Sequence, residues 1–538
     1  MGAGKWKDGM RRLGEKTLAW KLPALSPAFC AGLAGTLAGG LFAQGMGLFN
    51  KFSWHDDIFS LFMTGTAVPL GRWMLYVFAE MEKWFYGNGH FSLPAVNGMI
   101  GLICIGLSAG LLASFFRIRS RTLSALLGAV MAAFPVVTAL FGFMYTAHYY
   151  LMALLMVVGG GILVCGDGGW GRKIAGTLLC GCGIGVYQAF LPVLLMLVLI
   201  SQIRVLCLRE ESSADWAKRL LIQALCVAGV MGVYFAGSKY FLWKTGLQLD
   251  DYLGIDEMVS APLTAYLARV GRAYREFFLP THFSLWDMYP QSLYNLYRLM
   301  LCMDLLLGGF WILRIRRKSR FRAVMLGVML ALVPLGCNFI FVMSEEIHSL
   351  MVYGQVMQVL LLVCLADWTE TPAPAFHRAV SCGTALLLAV SSLMYIRYDN
   401  QCYLKTAFQQ QEAISWNTTL VSRIESAEGY RDELPVAFVN RDRMSDRNLH
   451  NLTEFDFIRL AAYEMDIQGY LNDWAWERFL ANWCGFQPEF ADGRAAADWP
   501  EVQAMPCYPD DGSIRVIRNT VVVKFQDPDE RTGKADGG

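Results

Sequence analysis

The sequence predicts a polytopic α-helical membrane protein of about eleven transmembrane helices, with a small C-terminal α/β domain outside the membrane. The first observation behind this class is composition: 55% of the 538 residues are hydrophobic, only 17% are charged, and the mean hydropathy is +0.37. An ordinary soluble domain carries about 25% charged residues. The second is that several apolar runs reach the ~20 residues that a helix needs to cross a bilayer. The third is a change to polar sequence beyond Arg397.

The first helix follows a basic N-terminal segment, residues 1–25, which is expected to stay in the cytoplasm. Its apolar run, Pro27 to Phe49, is too long for the core of a signal peptide, and no small-residue cleavage site follows it. The later spans are predicted at 94–116, 123–145, 149–165, 174–188, 190–206, 219–243, 293–313, 322–343, 350–366 and 378–396.

The charged residues of the loops set the orientation of these helices. Basic loops fall on the cytoplasmic side, at 117–121, 171–173, 204–219 and 314–322. An odd number of helices then places the C-terminus on the other side. The predicted division is a membrane domain, 26–396, with outer loops at 50–93 and 244–292, and an extracytoplasmic soluble domain, 397–538.

The outer segments contain two amphipathic stretches and one polar domain. Residues 72–85 and 263–278 alternate aromatic and charged side chains at helical spacing, so both are expected to lie flat on the membrane surface. The tail carries strand-like runs at 435–439 and 519–525, with a turn at 508–513, which predicts the α/β domain.

Net charge and cysteine usage exclude two classes of function. A formal net charge of +1 gives no case for nucleic-acid binding. The 14 cysteines lie mostly in apolar runs without metal-ligand spacing, so no cofactor is expected, with a divalent metal left open. Cys484 and Cys507 lie together in the tail, and the sequence leaves a disulfide between them open.

Two adjacent carboxylates, Asp56 and Asp57, follow the first span, where keeping an acidic pair dry is costly. A transferase that uses a lipid-linked donor needs a base for the acceptor hydroxyl, and cations for the leaving phosphate, at this interface. One aspartate is predicted to be the base, with a slight preference for Asp57, and the other to hold the acceptor or raise its neighbour's pKa. The candidate cations on the same side are Arg72, Lys83, Lys239, Arg269, Arg272, Arg275, His282 and His348.

Four motifs carry a resemblance to a known family. They are "HDDIFSLFMTGTAVPLGRW" (55–73), "GIGVYQAF" (183–190), "EIHSLMVYGQ" (346–355) and "MPCYPDDGSIRVIRNTVVVKF" (505–525). With them the chain resembles the bacterial type II O-antigen glucosyltransferases, the serotype-converting membrane enzymes. That family often has a basic residue shortly after the acidic pair, where this chain has Ile58, Phe59 and Ser60.

The resemblance implies a GT-C-like enzyme of the bacterial inner membrane. The resemblance further implies that glucose is moved from a polyprenyl-phosphate donor to a cell-surface polysaccharide or lipid-linked glycan. Because a single displacement needs one base and no protein nucleophile, the transfer is expected to be inverting. The resemblance also implies that Asp56 and Asp57 form the acidic motif, which Gly71 and Arg72 close. The predicted substrate-binding residues are Arg72, Tyr187, Gln188, Arg269, Arg272, Arg275 and His348.

Each of these residues also has a structural interpretation. Ser53 or an aspartate would cap the following helix, and Arg72 would reach to lipid headgroups. Tyr187, Gln188 and His348 would be packing or surface residues, and the three arginines would bind anionic lipids. Asp304 and Arg298 share one predicted span, where a salt bridge is the expected arrangement.

Two other classes of function remain open at this point. A transporter or flippase of lipid-linked glycans would place ionisable residues deep in several spans, whereas here they crowd one surface. The second class is a scaffold protein whose tail binds a partner. Assays of transport and of sugar transfer on the same reconstituted protein would distinguish a transporter from an enzyme.

Overall fold

The protein is described here from a computed structural model, which covers residues 26–63, 68–87, 90–250, 262–279, 290–344, 346–368, 375–441, 453–465 and 473–527. The helices of the first half are α1 (Pro27–Leu48), α2 (His55–Phe59), α3 (Trp73–Tyr86), α4 (Pro94–Phe115), α5 (Arg121–Ala133), α6 (Pro135–Gly142), α7 (Met144–Cys165), α8 (Trp170–Val186), α9 (Leu191–Leu208) and α10 (Ser213–Thr245). The second half adds α11 (Leu263–Phe278), α12 (Gln291–Arg316), α13 (Arg320–Ala331), α14 (Val333–Cys337), α15 (Ile340–Met343), α16 (Val356–Asp367), α17 (Ala375–Glu425), α18 (Asp473–Cys484), α19 (Gly493–Ala497) and α20 (Pro500–Gln503).

Nine helical stretches within the described ranges are long and apolar enough to cross a membrane. They confirm the polytopic helical class. The two other predicted spans correspond to shorter helices, α8 and the segment Tyr353–Asp367. The count of about eleven therefore stays a prediction. The predicted span 123–145 is broken at Phe134, because Pro135 favours an extended residue before it.

Side-chain hydrogen bonds gather the basic loops at one end of the bundle. Arg204 donates to the Phe115 carbonyl at 2.6 Å, and Arg322 donates to the Leu206 carbonyl at 2.5 Å. Arg119 binds Asp367 through its backbone N–H, at 2.8 Å. The loop that contains the two aspartates lies at the opposite end, together with the tail.

The last membrane helix continues far beyond its predicted end at residue 396. Helix α17 runs unbroken from Ala375 to Glu425, since a polar sequence with good helix formers ends the membrane span without ending the helix. Its outer part carries the tail: Lys405 donates to the Tyr463 carbonyl at 2.6 Å, and Trp476 donates to Asn417 at 2.7 Å. The predicted domain boundary at 396/397 lies inside this helix.

The tail contains a four-stranded sheet of order β2-β1-β4-β3. Its strands are β1 (Val436–Val439), β2 (Phe490–Ala491), β3 (Ile514–Ile517) and β4 (Thr520–Lys524). The central strand β1 pairs in parallel with β2 and β4, whereas β3 and β4 form an antiparallel pair. The two strand-like runs predicted from sequence are β1 and β4. Cys484 and Cys507 form no disulfide.

The expected salt bridge between Asp304 and Arg298 does not form. Asp304 accepts a hydrogen bond from Gln358 at 3.0 Å, and the Arg298 guanidinium lies 5.6 Å from the centre of the Tyr294 ring. The reason is geometric, because a spacing of six residues turns the two side chains to different faces of α12.

Small residues allow the first helix to pack closely on α5. A Cβ atom on Gly35 would lie 2.0 Å from the Ala125 carbonyl oxygen, and one on Gly128 would lie 2.2 Å from the Gly32 carbonyl oxygen. Two backbone segments in contact cannot move apart locally, whereas the flexible end of a side chain can. This contact therefore fixes the distance between the two helices.

We predict that Gly35→Leu destabilises the folded protein by about 1–3 kcal/mol or more, because the two helices must separate. The matched control is Gly45→Leu on the same helix, where an added Cβ meets nothing within 4 Å. The thermal midpoint of each purified variant in detergent measures the effect. Equal midpoints for the two variants would contradict the close packing described here.

Candidate active site

The acidic pair lies on a short helix at the end of the bundle that the tail covers. Both aspartates are in the first turn of α2, whose N-cap residue is Trp54, without a side-chain capping bond. Neither aspartate therefore occupies the cap position, and Ser53 donates its hydroxyl to Asp57. The capping interpretation does not explain the pair.

Asp57 is fully buried and holds together three segments of the chain. Its Oδ2 atom accepts from Lys51 Nζ and Ser53 Oγ, both at 2.5 Å. Its Oδ1 atom accepts from Ser92 Oγ at 2.5 Å and from the Tyr145 backbone N–H at 3.2 Å. Lys51 compensates the charge, and four donors satisfy the two carboxylate oxygens.

Asp56, by contrast, is partly exposed at the surface where the tail meets the loop. Helix α18 packs against α2, and the Arg478 guanidinium lies 5.8 Å from the centre of the Phe59 ring. The tail therefore forms part of the surroundings of the acidic pair.

Arg72 is held by two tyrosines at the same end of the bundle. Its Nη1 atom donates to the Tyr150 hydroxyl at 3.1 Å, and its guanidinium carbon lies 5.4 Å from the centre of the Tyr187 ring. The two rings stack with 4.6 Å between centroids. Because Tyr150 lies on α7, whose first turn binds Asp57, this helix links the acidic pair to the guanidinium.

Contacts with the motif at 183–190 and with Tyr234 fix the positions of Leu70 and Gly71, which directly precede Arg72. Gly71 has a φ of +71°, and an added Cβ would lie 2.4 Å from the Tyr234 hydroxyl and 2.9 Å from Gln188 Nε2. Gln188 donates to the Leu70 carbonyl at 2.7 Å and to Tyr234 at 3.1 Å. The motifs at 55–73 and 183–190, which are distant in sequence, therefore meet around Arg72.

Trp73 fills a space that two glycines leave. Its ring stacks on Phe241 with 5.5 Å between centroids, and a Cβ on Gly185 or Gly237 would lie within 2.5 Å of the ring. This contact fixes the start of α3 against α8 and α10.

The third motif lies against the same cluster. Tyr187 donates to the Leu350 carbonyl at 3.2 Å, and Ser349 accepts from the backbone N–H of Ala461 in the tail at 2.8 Å. Partial loss of hydration lowers the pKa of His348 from its ordinary value; Glu346 opposes this shift, and Arg72 adds to it. The imidazole therefore lies within electrostatic reach of Arg72 and favours its neutral form.

The three arginines of α11 have different surroundings. Arg269 is buried beside the Tyr266 ring, and Arg272 lies 5.3 Å from the centre of the Phe341 ring. Arg275 is exposed and pairs with the buried Glu276 at 3.3 Å. A bond from Asn338 to the Ala273 carbonyl, at 3.1 Å, fastens the helix to the segment that leads to His348.

The structure gives no contact between the remaining described candidate cations, Lys83 and Lys239, and the acidic pair. Lys83 pairs with Glu80 at 2.8 Å, Lys239 is exposed, and His282 lies outside the described residues. Where the structure describes the chain, it holds no group of three or more His, Cys, Asp or Glu side chains arranged for a metal ion.

Sequence reasoning missed several residues of the site. Lys51 supplies the positive charge beside the acidic pair, although it precedes the pair rather than following it. Ser92 and Tyr150 come from other segments, and no spacing rule connects them to the pair. A further cluster lies nearby, in which Glu82 accepts from the Tyr149 hydroxyl and pairs with His90 at 2.9 Å.

A comparison with protein families finds one match. The sequence model of the family described as Glucosyl transferase GtrII matches residues 45–360, more than half of the chain. The matched region includes the acidic loop, Arg72, Tyr187, Gln188 and His348, and it ends before the tail. No curated protein and no solved structure matches the chain.

We predict that Gly71→Ala destabilises the protein more than Gly246→Ala does. The two glycines have φ values of +71° and +70°, so alanine costs each variant about 1–2 kcal/mol of backbone strain. Only at Gly71 does the new methyl also displace Tyr234 and Gln188, which adds about 1–3 kcal/mol, because nothing lies within 4 Å at Gly246. Thermal midpoints measure the difference, and equal midpoints would show that the cluster does not hold Gly71 tightly.

Proposed function

Because this chain belongs to the GtrII glucosyl transferase family, we propose that it moves glucose from a polyprenyl-phosphate donor to a cell-surface polysaccharide, the O-antigen. The observation that carries the proposal is the meeting of three matched segments at one end of the bundle. There the acidic pair, the clamped guanidinium of Arg72 and the His348 segment adjoin one another. These are the groups that a displacement at a phosphate-activated sugar requires.

The end that holds the acidic pair is the outer face of the bacterial inner membrane in this proposal. The support is the concentration of basic loops at the other end, since loops rich in arginine and lysine stay in the cytoplasm. The N-terminus is then cytoplasmic, and the tail is extracytoplasmic.

An apolar groove beside α11 supports a donor with a long isoprenoid chain. The groove has a volume of about 500 Å³ and lies between α11, α12 and the α13–α14 segment. Tyr274, Phe277 and Phe278 of α11 contribute to its wall, within two helical turns of Arg272. The same helix would thus offer a surface to the hydrocarbon chain and guanidinium groups to the phosphate.

We assign the role of general base to Asp56 and a positioning role to Asp57. The slight preference for Asp57 from sequence is not kept, because a buried carboxylate with four donors cannot reach an acceptor hydroxyl without breaking those bonds. Asp56 directly precedes the anchored Asp57 and is partly exposed.

The transfer is then a single displacement that inverts the anomeric carbon. The acceptor hydroxyl gives its proton to Asp56, and its oxygen forms the new bond to the anomeric carbon. The bond from that carbon to the phosphate oxygen breaks, and the electron pair leaves with the polyprenyl phosphate. Arg72 and Arg272 stabilise this phosphate beside His348, while Tyr187 and Gln188 act through the positions of Arg72 and Gly71.

The test is transfer of radiolabelled glucose from polyprenyl-phosphate-glucose to extracted cell-surface glycan by the reconstituted protein. Label in the glycan is expected. Transfer with another sugar but not with glucose would discard the donor and keep glycosyl transfer. Movement of a lipid-linked glycan across the bilayer without transfer would replace the enzyme by the flippase alternative.

We predict that Arg272→Gln raises the KM for the lipid donor about tenfold or more, the worth of one hydrogen bond to a charged group. Arg275→Gln is the control on the same helix, because that side chain is exposed and its amide can still bind Glu276. Its KM should stay within about twofold of the parent. Unchanged KM values in both variants would contradict phosphate binding and favour the interpretation in which these arginines contact membrane lipids.

A further inference from the structure

A polar pocket, distinct from the apolar groove beside α11, lies at the end of the bundle opposite the acidic pair. Its volume is about 150 Å³, which leaves room for a group of the size of a phosphate. Four arginines line it, from the loops after α4 and α9 and from the ends of α9 and α10. We call it the basic pocket, and its charged lining residues are Arg117, Asp167, Arg204, Arg209 and Arg219.

Two of the four positive charges are compensated within the protein. Arg209 binds Asp167 with two bonds, of 2.6 and 3.2 Å, and Arg219 binds Asp167 at 2.6 Å and Glu211 at 2.9 Å. The hydrogen bonds from Arg209 hold the pKa of Asp167 well below its usual range, with a further contribution from Arg219, so this carboxylate is charged at neutral pH. Arg209 and Arg219 are therefore balanced by Asp167 and Glu211.

The other two charges have no such compensation. Arg204 donates to the Phe115 carbonyl, a neutral acceptor, and over the described part of the chain no carboxylate lies within 4.0 Å of Arg204 or Arg117. The four arginines, set against Asp167 and Glu211, thus have an excess of two positive charges. A pocket with this excess attracts an anion.

Arg117 has a backbone conformation that an arginine rarely adopts. Its φ is +55°, at the position after the end of α4 where glycine is the usual residue. The turn closes with bonds from Arg117 N–H to the Ser114 carbonyl and from Ile118 N–H to the Ala113 carbonyl. Glycine would make the same turn with less strain, so the guanidinium in the pocket is a reason for arginine at this site.

Two exposed apolar side chains adjoin residues of the basic pocket in the chain. Leu208 directly precedes Arg209, and Trp170 begins the helix after Asp167. Such side chains on the outside of a membrane helix face lipid hydrocarbon. A ligand with both a phosphate and acyl chains would match the two surfaces at once.

We propose that the basic pocket binds the phosphate headgroup of an anionic phospholipid, with the acyl chains along the neighbouring apolar side chains. Basic pockets between transmembrane helices are known to bind such headgroups. A net negative lipid is favoured over a zwitterionic one because the pocket's excess is positive. The binding does not depend on the sugar-transfer reaction or on which end of the bundle is cytoplasmic.

The test is lipid binding to the purified protein by native mass spectrometry, with phosphatidylglycerol and phosphatidylethanolamine of matched acyl chains as probes. The parent should prefer phosphatidylglycerol, and Arg117→Gln should weaken this binding about fivefold, the effect of one arginine near a lipid surface. Arg121→Gln is the matched control, an exposed arginine four residues further that does not line the pocket. Its affinity should equal that of the parent.

A second variant separates lipid binding from the stability of the loop. Arg117→Gly relieves the backbone strain, so it should raise the thermal midpoint without lipid and still lose the stabilisation by phosphatidylglycerol. Equal binding of phosphatidylglycerol by the parent and Arg117→Gln would overturn the proposal. So would inorganic phosphate that stabilises the parent as much as the lipid does, because the acyl chains would then have no part.

Discussion

The ion pair between Asp57 and Lys51 is the interaction on which the candidate active site depends. A carboxylate buried at the edge of a bilayer is tolerated only with a nearby positive charge and enough hydrogen-bond donors. Here the donors are Lys51, Ser53, Ser92 and the backbone of Tyr145. They come from the end of the first membrane helix, the segment before α4 and the start of α7, so one side chain fixes the mutual position of three membrane helices.

Further contacts extend this arrangement to Arg72. Helix α7, whose first turn binds Asp57, also contributes Tyr150, which accepts a hydrogen bond from Arg72. Tyr187 stacks on Tyr150 and lies against the same guanidinium. The glycines in the neighbouring helices leave space for Trp73, so that the guanidinium is held by its sequence neighbours as well as by its own contacts. The tail closes the assembly through Ala461 and α18. The acidic pair, Arg72 and the part of the tail that covers them are thus positioned by one connected set of contacts.

Much of this could be predicted from the sequence, and the exceptions have physical reasons. Hydropathy located the nine candidate membrane helices of the described residues, and short apolar runs rich in valine located two strands of the tail, because burial controls both patterns. Hydropathy could not show that α17 continues to Glu425, since a helix outside the bilayer needs no apolar sequence. The acidic pair and Arg72 were recognisable, whereas Lys51, Ser92 and Tyr150 were not, because their proximity arises only from packing between distant segments. The left-handed backbone conformation of Arg117 could not be predicted either, because nothing in the surrounding sequence requires it.

The most direct test of this account compares Asp56→Asn and Asp57→Asn in sugar-transfer rate and in thermal stability. Asp56→Asn should lose about 10²–10⁴ of the rate, the usual effect of removing a positioned base, with a thermal midpoint near that of the parent. Asp57→Asn should lose about 3 kcal/mol of stability, because it breaks a buried ion pair and turns an amide N–H toward a donor. Transfer by Asp56→Asn within a few-fold of the parent would contradict the account. So would an Asp57→Asn variant as stable as the parent whose transfer rate collapses, since Asp57 would then be the base.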